Sequence, residues 1–290
     1  MRAPAGDIEI EYETSGDPDD PPLVLIAGVG AQLTWFHREL CEAFVDRGFH
    51  VVRFDNRDVG RSTWVDTDVV AGDAIAALFA GEPAEVPYDI DAMAADTWAL
   101  CDHLRLDRPF LFGVSMGGMI AQQAAIRSPE RVGGLISVMS TTGDPDVGQP
   151  VPAAMEAMIV PSPTERDRYV ELAVEKGRIL SGGGDLDLDW VAERAGLAFD
   201  RGINPQATAR HLLAILASPS RSDGLRTLDV PALVVHGDVD PLVAASGGER
   251  TAECLQGSEY LLLEQMGHDL PRYHWATVIH HTVALASRSA

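Results

Sequence analysis

The chain has 290 residues, of which 46% are hydrophobic and 23% are charged, a composition typical of globular proteins rather than disordered or fibrous ones. Asp and Glu total 44 against 22 Lys and Arg, giving a formal net charge of -22, and Lys176 is the only lysine. This charge disfavours nucleic acids and anionic membrane surfaces as partners, because both are bound by clusters of cations.

The first half of the chain predicts alternating strands and helices. Apolar Ile8, Ile10 and Tyr12 alternate with acidic residues, and the turn-rich segment 15–22 follows, which predicts an N-terminal hairpin. The apolar run 23–27 is typical of a parallel strand covered on both faces. The remaining predicted elements are a helix ending near 48, a strand over 51–54, a helix over 89–106, a strand over 110–114, a helix over 116–128 and a strand over 135–139.

The stretch 143–227 differs from the rest. It is rich in Pro, Gly, Asp and Arg, contains helix-period patches and has no strand-like run, whereas strands resume at 231–235 and 260–263 before a final helix over 271–287. We therefore predict an α/β fold with a mostly parallel, doubly wound sheet. Residues 1–142 and 228–290 would form the core and 143–227 a helical cap insertion; alternatively, 143–227 adds more helices beside the sheet.

No feature of the sequence indicates a membrane, a metal or a cofactor. The longest apolar runs fall far short of the ~18 residues of a membrane span, and the acidic N-terminus lacks the apolar stretch of a secretory signal. Three isolated cysteines, Cys41, Cys101 and Cys254, fit neither a disulfide framework nor a metal site. We expect a cytoplasmic protein with reduced thiols and no cofactor.

A candidate nucleophile lies where a strand meets a helix. Strand 110–112 leads into Gly113-Val114-Ser115-Met116-Gly117 and then into an apolar helix. In this setting a Gly-x-Ser-x-Gly motif exposes the serine hydroxyl at a sharp turn, and the glycines leave room for the crowded backbone. We predict Ser115 as the nucleophile.

A serine hydroxyl needs a base, and the base needs an orienting acid. Strand 233–235 ends in a turn with two carboxylates, Asp238 and Asp240, of which Asp240 is the preferred acid. The loop after strand 260–263 carries His268, the candidate base. The other histidines are interpreted as surface or structural.

Acyl transfer also needs donors for an oxyanion, and in this fold they are backbone N–H groups. We assign them to Met116, next to the nucleophile, and to Val29, in the Gly-bearing loop after strand 23–27. Trp35, Phe36 and Met119 are candidates for a substrate pocket; helix-period aromatics and methionines are more often part of a core.

Together these motifs resemble the α/β-hydrolase superfamily. The likeness rests on Gly28-Val29-Gly30, the turn 55–62, the elbow at Ser115, the segment 236–240 and Gly267-His268. Within that superfamily, the sequence is most similar to serine esterases of the aclacinomycin methylesterase type and to cofactor-free haloperoxidases. Ala27 stands where relatives often carry histidine, and turn 55–62 is interpreted as structural.

The resemblance implies hydrolysis of carboxylic esters of small or medium apolar substrates through an acyl-enzyme. A serine nucleophile argues against the dehalogenase and epoxide hydrolase branches, which need a carboxylate there. A perhydrolase or a C–C bond hydrolase with the same triad is an alternative, and so is a non-catalytic protein that binds a small ligand. The expected partner is a small-molecule ester, and a homo-oligomer is compatible with the sequence.

Overall fold

The computed structural model of the protein describes residues 1–288, which form eight strands and eleven α-helices. The strands are β1 (Arg2–Ala5), β2 (Ile8–Ser15), β3 (Pro22–Ile26), β4 (His50–Phe54), β5 (Phe110–Val114), β6 (Gly134–Val138), β7 (Ala232–Gly237) and β8 (Glu259–Leu263). The helices are α1 (Arg38–Val45), α2 (Ala71–Phe79), α3 (Ile90–Leu104), α4 (Met116–Arg127), α5 (Pro152–Ile159), α6 (Arg166–Leu180), α7 (Leu188–Arg201), α8 (Ala207–Ala217), α9 (Ser222–Arg226), α10 (Ser246–Cys254) and α11 (Arg272–Arg288). None of these described helices is both long and apolar enough to cross a bilayer.

All eight strands belong to one sheet, in the order β1-β2-β4-β3-β5-β6-β7-β8. Strand β2 pairs antiparallel with β1 and with β4, and the other pairings are parallel. The mostly parallel sheet predicted from the sequence is confirmed. Because parallel strands point their carboxyl ends to one edge, the loops after β3, β5, β7 and β8 meet there.

Helices cover both faces of the sheet. In the central strand β3, Val24 faces an apolar cluster that includes Trp98 of α3, and its neighbour Leu25 faces a second cluster that includes Phe44 of α1. Both strand residues are fully buried. This alternation over a continuous apolar strand is the doubly wound arrangement that the sequence predicts.

Helices α5 to α9 lie between β6 and β7, and the fully described stretch 143–227 contains no strand. Its helices pack on one another and on the core: α6 packs against α7, and α8 packs against α2. The pattern of secondary structure is the predicted one. The division into a core of 1–142 and 228–290 and a cap of 143–227 stays a prediction.

Two details differ from the prediction. The N-terminal hairpin pairs β1 with β2, whereas the turn-rich segment 15–22 connects β2 to β3, which are separated in the sheet by β4. Helices α2 and α10 were not predicted. The buried face of α2, Ala71 and Ala74, packs with Leu213 of α8, so tertiary packing with small residues supports this helix rather than a strong local pattern.

Candidate active site

The turn between β5 and α4 holds Ser115 in a strained conformation. Its φ of 54° and ψ of -121° lie where a residue with a side chain is rarely found. Two bonds fix the turn: the Ser115 N–H donates to Val138 O at 2.9 Å, and Ser140 Oγ donates to Ser115 O at 2.8 Å. The backbone of β6 and the loop after it therefore hold the serine at the carboxyl edge of the sheet.

The two glycines of the motif are required by close backbone contacts. A Cβ on Gly113 would lie 2.1 Å from Gly117 O, and a Cβ on Gly117 would lie 2.0 Å from Ile26 O. Both distances are far inside van der Waals contact. The turn can pass this close to β3 and to its own helix only because neither residue has a side chain.

The structure brings the three predicted side chains together. Ser115 Oγ lies 2.9 Å from His268 Nε2, and His268 Nδ1 lies 2.7 Å from Asp240 Oδ2. An ionised carboxylate only accepts, so Nδ1–H donates to Asp240 and Nε2 accepts the hydroxyl proton of Ser115. The second carboxylate of that turn, Asp238, is exposed and takes no part in this chain of bonds.

Asp240 is buried and held by its own loop. Its Oδ1 accepts the N–H groups of Leu242 and Val243, each at 2.9 Å. Burial alone raises the pKa of the Asp240 carboxyl, but its interactions with His268, at 2.7 Å, and with His236, at 3.6 Å, outweigh burial and hold the pKa below its ordinary value. The carboxylate therefore stays ionised beside the base.

The loop after β3 passes directly against the nucleophile. A Cβ on Gly28 would lie 3.2 Å from Ser115 Cβ. The Gly30 N–H donates to His211 Nδ1 at 3.1 Å, but within residues 1–288 no protein acceptor is found for the Val29 N–H. Met116 is the first residue of α4, where an N–H has no acceptor within the helix. Both predicted N–H groups are thus available to a ligand.

His211 supports this loop from helix α8. Its side chain is fully buried, and its Nε2 lies 2.9 Å from Arg57 O. Since Nδ1 accepts from Gly30, the ring proton sits on Nε2 and donates to Arg57. Burial lowers the pKa of His211, which keeps the ring neutral. Relatives often carry a histidine at the position of Ala27. In this chain the oxyanion loop is instead supported by His211 of α8, which is distant in sequence.

The turn after β4 ties the same region together. Buried Asp55 accepts the N–H groups of Leu33 and Arg61 at 2.7 and 3.0 Å and the guanidinium of Arg201 at 2.6 Å. Every one of these bonds fixes backbone or a neighbouring helix. None reaches the triad, in keeping with the structural role expected for turn 55–62.

A cavity of about 210 Å³ adjoins Ser115 and His268. Its wall includes the apolar residues Ala31, Trp35, Val114, Met139, Met158 and Leu242. Of the three predicted pocket residues, only Trp35 lines it.

Phe36 and Met119 lie elsewhere, so their assignment to the pocket is corrected. Phe36 is fully buried and stacks edge-on against Phe112, with ring centroids 6.3 Å apart. Met119 is buried in the core on the other face of the sheet. Phe36 follows the short turn Leu33–Trp35 and Met119 lies in α4, and both side chains are buried in the clusters that flank the sheet rather than in the cavity wall.

Charged residues that no sequence motif singled out also line the cavity. Arg194 of α7 lies 3.4 Å from Asp269, and Lys176 of α6 donates to Val160 O at 3.1 Å. The only sequence signal that could have drawn attention to this part of the cavity is that Lys176 is the single lysine of the chain. Within residues 1–288, no cluster of three or more His, Cys, Asp or Glu side chains is arranged to hold a metal ion.

The chain is similar to proteins of one known family. A family model described as the alpha/beta hydrolase fold matches residues 21–271. Rhodomycin D methylesterase DnrP of Streptomyces peucetius is 30% identical, with 91% of this chain and 90% of that protein covered. BpoC of Mycobacterium tuberculosis, provisionally named as a non-heme bromoperoxidase, is 27% identical, with 90% and 91% covered. The crystal structure of an enol-lactonase from Burkholderia xenovorans LB400 superposes with a TM-score of 0.74 at 21% identity, covering 99% of this chain and 100% of that one. The resemblance predicted from the motifs is confirmed.

Proposed function

The chain belongs to the alpha/beta hydrolase fold family and is a carboxylic ester hydrolase, and we propose that Ser115, His268 and Asp240 are its catalytic triad. The observation that carries the proposal is the unbroken pair of hydrogen bonds, 2.9 Å from Ser115 to His268 and 2.7 Å from His268 to Asp240. Nucleophile, base and orienting acid each have the partner that their role needs.

The first half of the reaction transfers the acyl group to the enzyme. As Ser115 Oγ attacks the ester carbonyl, its proton moves to His268 Nε2, and the ionised Asp240 stabilises the resulting imidazolium. The tetrahedral intermediate then collapses, the C–O bond to the alcohol breaks, and the alcohol leaves with the proton from Nε2. The product of this half is an ester of Ser115.

The second half returns the free enzyme. Water gives a proton to His268 Nε2 and adds to the acyl carbonyl, and the new intermediate releases the carboxylic acid as Ser115 Oγ regains its proton. The same base acts in both halves because the oxygen of the leaving alcohol and the oxygen of the attacking water occupy the same position beside His268 Nε2, one after the other. No cofactor is needed for either half.

The negative charge that develops on the carbonyl oxygen needs donors. We assign the N–H groups of Val29 and Met116 to this oxyanion hole. Their support is that the loop carrying Val29 contacts the nucleophile and that neither group has another acceptor in the described protein. His211 acts as a positioning residue, because its bond to Gly30 N–H fixes the peptide next to Val29.

The cavity suits small or medium esters. At about 210 Å³ it is smaller than the pockets that enclose drug-sized ligands, and most of its wall is apolar. We assign helices α5 to α9 to a cap over Ser115, since α5, α6 and α7 each contribute residues to this wall. The cap would then limit the size of the acid that reaches the nucleophile.

The three cysteine thiols support a cytoplasmic location. Cys41, Cys101 and Cys254 are all free and buried, and burial raises the pKa of Cys41 to about 11 and of Cys101 to about 12. A chain without disulfides and with inert thiols is typical of a reducing compartment. We therefore propose that the protein acts in the cytoplasm, which fractionation of the source cells would test.

A panel of aryl esters from acetate to octanoate tests the activity. Ser115→Ala should lower kcat by at least about a thousandfold, whereas Ser287→Ala, a matched change on an exposed helix position, should leave it unaltered. A fluorophosphonate should label the wild type once, at Ser115, as read by mass spectrometry. Full activity of Ser115→Ala would show that the triad assignment is wrong.

A second candidate is perhydrolysis, in which hydrogen peroxide replaces water in the second half and a peracid forms. The likeness to BpoC favours it. Peracid formation in acetate and peroxide, measured against hydrolysis of aryl acetate by the same preparation, separates the two. A perhydrolase should form peracid at a rate that rivals its ester hydrolysis.

A further inference from the structure

Helix α6 turns one face toward the catalytic cavity. Ala173, Lys176, Gly177 and Leu180 all line it, at the spacing that puts residues on one side of a helix. Three of them are apolar or small, and the fourth is the only lysine of the chain. Leu180 O accepts the N–H of His268 at 2.7 Å. That bond fixes this face of the helix beside the loop of the catalytic base.

Within residues 1–288, no carboxylate forms an ion pair with the ammonium of Lys176. Its bond within the described chain is to the carbonyl of Val160, just past the end of α5, at 3.1 Å. Burial lowers the pKa of Lys176, and no neighbouring carboxylate opposes this shift. An ammonium has three donors, so two of them remain for a ligand. A partly buried cation without a counter-ion is destabilised, and a bound anion would relieve that cost.

The other cation of the cavity is already engaged. Arg194 is 3.4 Å from the carboxylate of Asp269, and its guanidinium lies over the ring of Trp35, 5.4 Å from the centroid. Its charge is therefore partly compensated within the protein. In a chain of net charge -22, Lys176 places an uncompensated positive charge on the wall of the proposed catalytic cavity.

We propose that this cavity takes esters whose acyl part ends in a carboxylate, with that carboxylate bonded to Lys176 Nζ and the ester carbonyl at Ser115. The proposal rests on the function proposed for Ser115 and narrows its substrates to half-esters of dicarboxylic acids. The apolar wall between the two ends, including Trp35 and Leu180, contacts the methylene chain. Hydrolysis itself is unchanged: water adds and the alcohol leaves.

Matched pairs of methyl esters test the proposal. Monomethyl succinate, glutarate and adipate are compared with methyl butanoate, pentanoate and hexanoate, using wild type, Lys176→Met and Arg178→Met. Arg178 is an exposed cation on the same helix, so its variant controls for net charge. In wild type and Arg178→Met, at least one half-ester should exceed its neutral partner in kcat/KM by about tenfold or more. Lys176→Met should lose this preference, so that its half-ester and neutral-ester kcat/KM values differ by less than about twofold.

Binding gives the same comparison without turnover. Calorimetry on Ser115→Ala should detect monomethyl glutarate, and Ser115→Ala combined with Lys176→Met should bind it at least about tenfold more weakly. Equal kcat/KM for both ester classes in wild type, or an equal loss of both in Lys176→Met, would overturn the carboxylate subsite and leave Lys176 as a tie to Val160. Hydrolysis that survives Ser115→Ala would instead overturn the proposed function.

Discussion

Replacing His211 by leucine tests whether helix α8 holds the oxyanion loop. In the wild type the ring accepts the Gly30 N–H at 3.1 Å and donates to Arg57 O at 2.9 Å, entirely out of contact with solvent. Leucine fills much of the same volume but leaves both backbone groups without a partner. Each such buried group costs about 1–3 kcal/mol. The free energy of unfolding should therefore fall by about 2–6 kcal/mol.

The same change should slow the reaction. Complete loss of one oxyanion donor lowers kcat by about 10²–10³-fold. Leucine does not remove the Val29 N–H but releases the peptide next to it, so we expect a fall in kcat of about ten- to a hundredfold, with KM changed by less than about threefold. His211→Asn should recover most of this loss, because its amide oxygen can take the place of Nδ1 as the acceptor for Gly30.

The assay is steady-state hydrolysis of a short aryl ester by wild type, His211→Leu and His211→Asn, with urea unfolding of each. Both substitutions remove the imidazole Nε2–H that donates to Arg57 O. A difference in kcat between the two variants therefore reports on the bond to the Gly30 N–H. Wild-type kcat in His211→Leu, or equal kcat in the two variants, would show that the bond between His211 and Gly30 does not hold the oxyanion loop.

His211 should also leave a mark on the pH dependence of stability. Burial lowers the pKa of the folded ring from its ordinary 6.5, so below that pH the unfolded chain takes up a proton that the folded chain does not. Stability therefore falls as pH falls from about 7 to 5, by up to about 1.4 kcal/mol per pH unit from this group. His211→Asn should lack this component in urea unfolding at the same pH values.

Three further predictions concern the acid, the turn after β4 and the cavity wall. Asp240→Asn should lower kcat by about 10³–10⁴-fold, and Asp238→Asn should leave it within about twofold, a comparison that assigns the acid by ester kinetics. Arg57 pairs with the buried carboxylate of Asp96 at 2.7 Å. Arg57→Ala leaves Asp96 unpaired and should reduce the free energy of unfolding by about 3–5 kcal/mol, against about 0.5 kcal/mol for exposed Arg61→Ala, as measured by urea denaturation. Trp35→Ala enlarges the cavity and should shift the preferred aryl ester to a longer acyl chain; an unchanged optimum would place the acyl group elsewhere.

The residues of the proposed triad could be predicted from the sequence because each follows a recognisable strand. The parallel sheet fixes where strand ends meet, so Ser115 after β5, Asp240 after β7 and His268 after β8 had to lie at one edge. Local pattern and topology together were enough. Of the two carboxylates in the turn after β7, the sequence already favoured Asp240, and in the structure Asp240 contacts His268 whereas Asp238 is exposed.

The residues that the helices of 143–227 bring to the site were not predictable in this way. Lys176, Arg194 and His211 lie on helices whose sequence pattern gives their period but not the partner that each face meets. The assignment of Phe36 and Met119 to the pocket was wrong for the same reason. Both residues are near the site in sequence, but their side chains are buried against the sheet. Placement that depends on packing between distant segments leaves little trace in a single sequence.

The bond between Leu180 and His268 bears on how substrates come and go. Helix α6 cannot swing away as a rigid lid without breaking the backbone bond to His268, the proposed catalytic base, and α8 cannot do so without releasing Gly30. Either movement would therefore disturb the proposed site. With both helices held in place, the cavity of about 210 Å³ would set a fixed upper limit on the size of the acyl group that the site accepts.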